Sequence, residues 1–226
     1  MPRGRSEGIT FGAASPWPSF LLPFLTMNQR ILLAALLGGL ALFAWESVAH
    51  LMTPLGEMGF KTLDDEATVL PVLKTTVHDS GFYFFPAPQY RAGMSSAEKS
   101  AAMDAAMQKY QQGPSGMILI LRNGATAMTP QQLLTQFVAD LVAMLIAAIL
   151  LAQLGPGVSF ARKLSLFALL ALFPTLRMGV PWVNWYHFPN SLFAAQFIVD
   201  FAGFLIAGLI VAKLVQSRSK TMAAAS

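Results

Sequence analysis

Seven side chains in this sequence combine reactive groups with suggestive spacing: Glu46, His50, Asp140, Arg177, Asn184, His187 and Asp200. Glu46, Asp140, Arg177 and Asp200 fall within or at the ends of long apolar runs, where a charge costs several kcal/mol unless it is paired, hydrated or neutralised. Three carboxylates against one guanidinium leave a surplus. Arg177 is expected to neutralise Asp200 on the next run, and at least one remaining carboxyl then needs a proton, a metal or water. Such a set offers proton or cation binding. The competing use is a buried ion pair that fixes helix register.

His50 and His187, with Glu46, make a second set. Two imidazoles and a carboxylate suit zinc or iron, although no HExxH pattern is present. Asn184, inside the stretch 183–187, joins them as a candidate ligand-binding residue at the outer mouth. The alternative is that both histidines anchor helix ends beside Trp45 and Trp185, so a metal is left open. A third candidate is the aromatic run Phe82, Tyr83, Phe84 and Phe85, read either as an interaction surface or as a strand buried on both faces.

The elements that carry these residues follow from composition. The chain has 226 residues, 55% hydrophobic and 12% charged, against about 25% charged for a soluble domain. This is the composition of a membrane protein. Four segments, residues 31–52, 133–154, 164–182 and 191–214, are long and apolar enough to cross a hydrocarbon core of roughly 30 Å. Arg30 precedes the first, Arg162 and Lys163 lie between the second and third, and Lys213, Arg218 and Lys220 follow the fourth. The connection 181–190 has no Lys or Arg. The positive-inside rule then places both termini in the cytoplasm and residues 53–130 outside. Trp45, Trp182, Trp185 and Tyr186 fall near outer helix ends, where an aromatic belt belongs.

Eight of the 19 positions from Gln136 to Leu154 are identical sixty residues later, among them Gln136 with Gln196 and Asp140 with Asp200. Trp45 and His50 are spaced as are Trp182 and His187. The pattern reads as a duplicated two-helix hairpin whose first copy holds a 77-residue insertion. Equivalent helices run the same way, so the repeat is parallel, which weakens a transporter reading. The expected fold is an all-α membrane protein: four transmembrane helices and a small inserted extracytoplasmic α+β domain. Within the insert, residues 68–77, 81–85 and 117–122 read as strands. Residues 95–112 read as a helix, with a Ser95–Glu98 capping box and a Gly113-Pro114 stop.

The expected organisation is an N-terminal extension over 1–26, spans at 27–52, 131–155, 162–182 and 191–214, the extracytoplasmic domain over 53–130, and a cytoplasmic tail over 215–226. Residues 1–26 are read as a disordered tail or the product of a mis-assigned start upstream of Met27. Arg30, the apolar run after it and Ser47-Val48-Ala49 also match the three regions of a cleaved signal peptide, but cleavage would break the duplication.

With no cysteine, disulfides, thiol nucleophiles and Cys-ligated metals are excluded. No Walker A, dinucleotide glycine pattern, nucleophile elbow or kinase signature occurs, and no cofactor is implied. The net charge of +4 comes from basic residues spread along the chain, which argues against nucleic acid. The expected setting is the bacterial plasma membrane, with the lipid bilayer and other membrane subunits or a second copy of the chain as partners. The leading function is a non-catalytic accessory, assembly or sensing component. The alternatives are a small proton- or cation-coupled carrier or channel using Asp140 and Asp200, and a metal-dependent membrane enzyme.

Overall fold

The computed structural model describes residues 29–154 and 157–215. The expected N-terminal extension, residues 155–156, and the tail with Arg218 and Lys220 lie outside the described residues. Four helices are long and apolar enough to cross a membrane. They are α1 (Gln29–Met52), α4 (Pro130–Ala152), a third segment over Phe160–Tyr186, and α7 (Asn190–Leu214). Between α1 and α4 come α2 (Glu66–Thr76), β1 (Gly81–Phe85), α3 (Ser96–Gln112) and β2 (Gly116–Ile120).

Local chemistry sets the helix starts. The α4 helix begins three residues earlier than hydropathy suggests because Thr129 and Gln132 form a reciprocal cap. The Thr129 amide donates to Gln132 Oε1 at 2.7 Å and the Gln132 amide to Thr129 Oγ1 at 3.3 Å. Pro130, at the first helical position, loses nothing by having no N–H. The third segment is α5 (Phe160–Pro174), a five-residue π-helical turn (Thr175–Gly179) and α6 (Val180–Tyr186). Pro174 and Pro181 each remove a helix donor, and the wider turn lies between them.

The chain divides into two compact units. One holds α1, Gln136–Phe173 and the part of α7 from Ile198 onward. Its interior is dominated by small residues, including Ala34, Ala147, Ala148 and Ala207, with Leu42, Met144 and Phe167 between them. At Gly39 a Cβ would lie 2.9 Å from the Leu141 Cα, so α1 and α4 approach closely enough for van der Waals packing to hold them in lipid. The outer rows are apolar and larger: Leu32, Leu36 and Leu40 on α1, and Val138, Val142 and Ile146 on α4, are all exposed. Small inside and large apolar outside is the arrangement a lipid solvent favours. Ser47 and Thr53 donate back to the carbonyls of Phe43 and Ala49, leaving neither hydroxyl unsatisfied.

The other unit comprises Pro54–Thr135 and Pro174–Phe197. Here β1 and β2 form a two-stranded antiparallel sheet with Phe82 opposite Leu119 and Phe84 opposite Met117. The α3 helix has the expected capping box at Ser95 and Glu98, and Gly113 ends it. Residues 68–77, expected as a strand, instead lie mostly in α2. Asp65 caps the first turn by accepting the Thr68 amide at 3.1 Å, and the hydroxyls of Thr75 and Thr76 donate to carbonyls three and four residues earlier. These β-branched residues satisfy their polar groups locally, whereas a strand would need a ladder partner.

Glu98 is exposed, and its bonds from the Ser95 hydroxyl and amide hold its carboxyl below the usual carboxylate range. A depressed folded pKa makes the cap's contribution complete above the unfolded value near ~4.3 and lost as pH falls through the folded one. The protection factor of the Ser95 amide, its exchange corrected for the intrinsic pH dependence, should fall on acidification through this window, and Glu98→Gln should flatten that dependence. An unchanged profile in the variant would show that another group governs the cap.

Candidate functional site

The polar groups of the first unit converge where α1, α4 and α7 come together. Glu46 is on α1; Gln136 and Asp140, one helical turn apart, share a face of α4. The Gln136 amide uses both its protons on carboxylates. Its Nε2 donates to Glu46 Oε2 at 3.0 Å and to Asp140 Oδ1 at 2.9 Å. Asp140 is only 4% exposed, and its other oxygen, Oδ2, is buried with no hydrogen-bond partner among the described residues. Asp200, half-buried and with interactions of its own, lies near enough for its charge to act on Glu46, as does that of Asp140.

The scaffold around this cluster explains why the groups meet. Trp45, next to Glu46, donates its indole N–H to the Val199 carbonyl on α7 at 2.9 Å. A Cβ on Gly203 would lie 2.9 Å from the Trp45 ring and 2.7 Å from Leu42; the glycine makes room for α1. Phe43 and Phe137 pack edge to face with centroids 5.5 Å apart, a second tie between α1 and α4. Trp45 is thus a half-buried helix tie, a role the aromatic-belt expectation did not anticipate.

The remaining candidate residues have simpler surroundings. His50 is exposed, its Nδ1 2.9 Å from the Glu46 carbonyl one turn back. In the other unit, Arg177 is exposed within the π turn, and Asn184 and His187 are exposed at the end of α6. His187 terminates that helix in a left-handed conformation, φ 56°, its amide bonded to the Trp182 carbonyl. Trp182 stacks on Phe188 at 4.6 Å. No three His, Asp or Glu side chains are grouped to hold a metal ion among the described residues.

Of the aromatic run, Phe82, Phe84 and Phe85 are exposed, while Tyr83 is half-buried and donates its hydroxyl to the Asp79 carbonyl at 2.6 Å. Phe84 also stacks on Tyr110 of α3. Phe84 and Phe85 line a cleft of about 330 Å³ with Pro86, Ala102, Ala106 and Lys109.

The sequence pairs Gln136 with Gln196 but assigns Gln136 no role. The available signal was its four-residue spacing from Asp140, which puts an amide donor beside an intramembrane carboxylate. Comparison with protein-family models, curated proteins and solved structures finds no match.

Chemically, the cluster is an acid-rich site with one shared donor. Replacing Gln136 by Leu deprives both carboxylates of their common partner, and the penalty expected for such a loss is about 1–3 kcal/mol. Trp45→Phe removes the bond to Val199, a loss of about 0.5–1.5 kcal/mol, together with part of the ring that packs beside Gly203. Unfolding of the purified protein under one detergent condition would test both. A Gln136→Leu variant as stable as the parent would mean that the amide bridge contributes nothing to the packing of α1 on α4.

Proposed function

We propose that this chain is a multi-pass protein of the bacterial plasma membrane that acts without catalysis, as an accessory, assembly or sensing component. The observation that carries the reading is the open face of the β1–β2 ribbon, where the directly opposed Phe82 and Leu119 are 59% and 64% exposed. Two large apolar side chains held side by side on a short ribbon make a contact surface for another protein.

The membrane topology belongs to the same proposal. Arg30 at the start of α1, Arg162 and Lys163 at the start of α5 and Lys213 at the end of α7 share the side assigned to the cytoplasm. Residues 53–130 are then an extracytoplasmic domain inserted in the first copy of a duplicated hairpin. Two features support the duplication. The α4 and α7 helices start sixty residues apart, at Pro130 and Asn190, and positions 147, 148 and 151 are buried in α4 as 207, 208 and 211 are in α7.

A second reading, a small proton- or cation-coupled carrier working as an oligomer, is favoured by the Glu46–Gln136–Asp140 cluster and the nearby Asp200. For the third reading, a metal-dependent enzyme, no group of three or more metal-ligating side chains occurs among the described residues.

Native mass spectrometry of the protein extracted from its own membrane at native expression level should show a partner subunit in fixed ratio, and Phe82→Ser with Leu119→Ser should weaken that association at least tenfold. A lone homo-oligomer would overturn the accessory reading and leave the carrier reading. Because the chain lacks cysteine, single cysteines test the topology directly. An impermeant maleimide should label Ala125→Cys in intact cells and Gln153→Cys only after permeabilisation; the reverse pattern would invert the assigned orientation.

A further inference from the structure

We propose that Glu46 and Asp140 form a proton-binding site within the membrane, one proton being shared by two carboxyl groups that the Gln136 amide holds together. This narrows the chemistry of the cluster invoked by the carrier reading, but requires only that α1 and α4 lie in the membrane, whether or not anything is transported.

Donors and acceptors do not balance in the cluster. The two amide protons of Gln136 serve Glu46 Oε2 and Asp140 Oδ1. Asp140 Oδ2 is buried and receives none among the described residues. A carboxylate oxygen sealed from water with no donor is unfavourable, and a second carboxylate joined to it through one amide makes double ionisation worse. A proton relieves the larger cost: it removes one charge from the pair and leaves Oδ2 in a neutral carboxyl, whose burial costs far less than that of a carboxylate.

The surrounding charges do not supply another solution. On α1 the titratable neighbour is His50, exposed and with Nδ1 against the Glu46 carbonyl. On α7 it is Asp200, a further carboxyl acting on Glu46. The basic groups of this unit sit at the far ends of their helices: Arg30 is 16 residues from Glu46, or roughly 24 Å along α1. On α5, Lys163 reaches the carbonyls of Ala212 and Val215 at the end of α7. A metal fits poorly. Hard cations such as calcium take about six to eight oxygens, and no group of three or more metal-ligating side chains occurs among the described residues.

The test is infrared difference spectroscopy of the full chain in lipid bilayers. At pH 7 in sodium-free buffer, the expected result is a protonated-carboxyl C=O band that shifts in D2O. Both Asp140→Asn and Glu46→Gln should displace or abolish it, whereas Asp200→Asn should retain it. Absence of the band, or a band altered by only one or neither of the first two variants, would overturn the shared site. Loss of the band on adding sodium would overturn it in favour of a cation. Should Asp140→Asn fail to fold, the parent spectrum and Glu46→Gln still decide: a band untouched by Glu46→Gln ends the proposal. Because the readout is spectroscopic, a protein that moves nothing across the membrane can still pass or fail.

Discussion

Hydrocarbon offers no hydrogen bonds, so every polar group placed in it must find a partner inside the protein. In this molecule that constraint comes to rest on one side chain. Gln136 supplies the donors for carboxylates on two helices and so ties α1 to α4. The rest of the first unit permits this contact. Gly39 lets the Leu141 backbone approach, Gly203 accommodates Trp45, and the Trp45 indole adds a tie to α7. Small residues bring the helices close, and a few polar groups set how they face one another.

The consequence is an unequal division of labour along the helices. At the end assigned to the cytoplasm, charge is basic and Lys163 closes the end of α7 by binding its last carbonyls. In the other half, charge is acidic and concentrated at Glu46, Asp140 and Asp200. The last carbonyls of α7 account for Lys163 and Lys213 at the basic end. They do not account for the acidic one, and the charge left without a structural reason therefore sits there.

Much of this was legible in the sequence, for reasons that differ by element. Helices long and apolar enough to cross a membrane are read from long apolar runs, and all four occur within a few residues of their expected limits. The α3 helix was legible because Ser95, Glu98 and Gly113 each perform a local task that requires no tertiary knowledge. The α2 helix was not, because Thr68, Val69, Val72, Thr75 and Thr76 look like a strand by composition, and only the Asp65 cap and the returning hydroxyls tip the balance. Glu46, Asp140 and Asp200 were singled out by the cost a carboxylate would bear in hydrocarbon. Gln136 went unnoticed because a neutral amide carries no such alarm, and its importance depends on where α1 lies. The π turn also escaped notice, since prolines announce a break without saying how the backbone will absorb it.

That turn has a consequence for the history of the fold. In a regular α-helix, inserting one residue rotates everything beyond it by about 100°, carrying each side chain to a new face. A turn closed by i→i+5 bonds takes up the extra residue where it arises. Between Pro174 and Pro181 the third segment therefore holds a place where chain length can change by one while Phe167 and Ala171 keep their buried positions in α5. It marks the point on this helix where variation in length is least disruptive, and shorter or longer relatives would be expected to differ there.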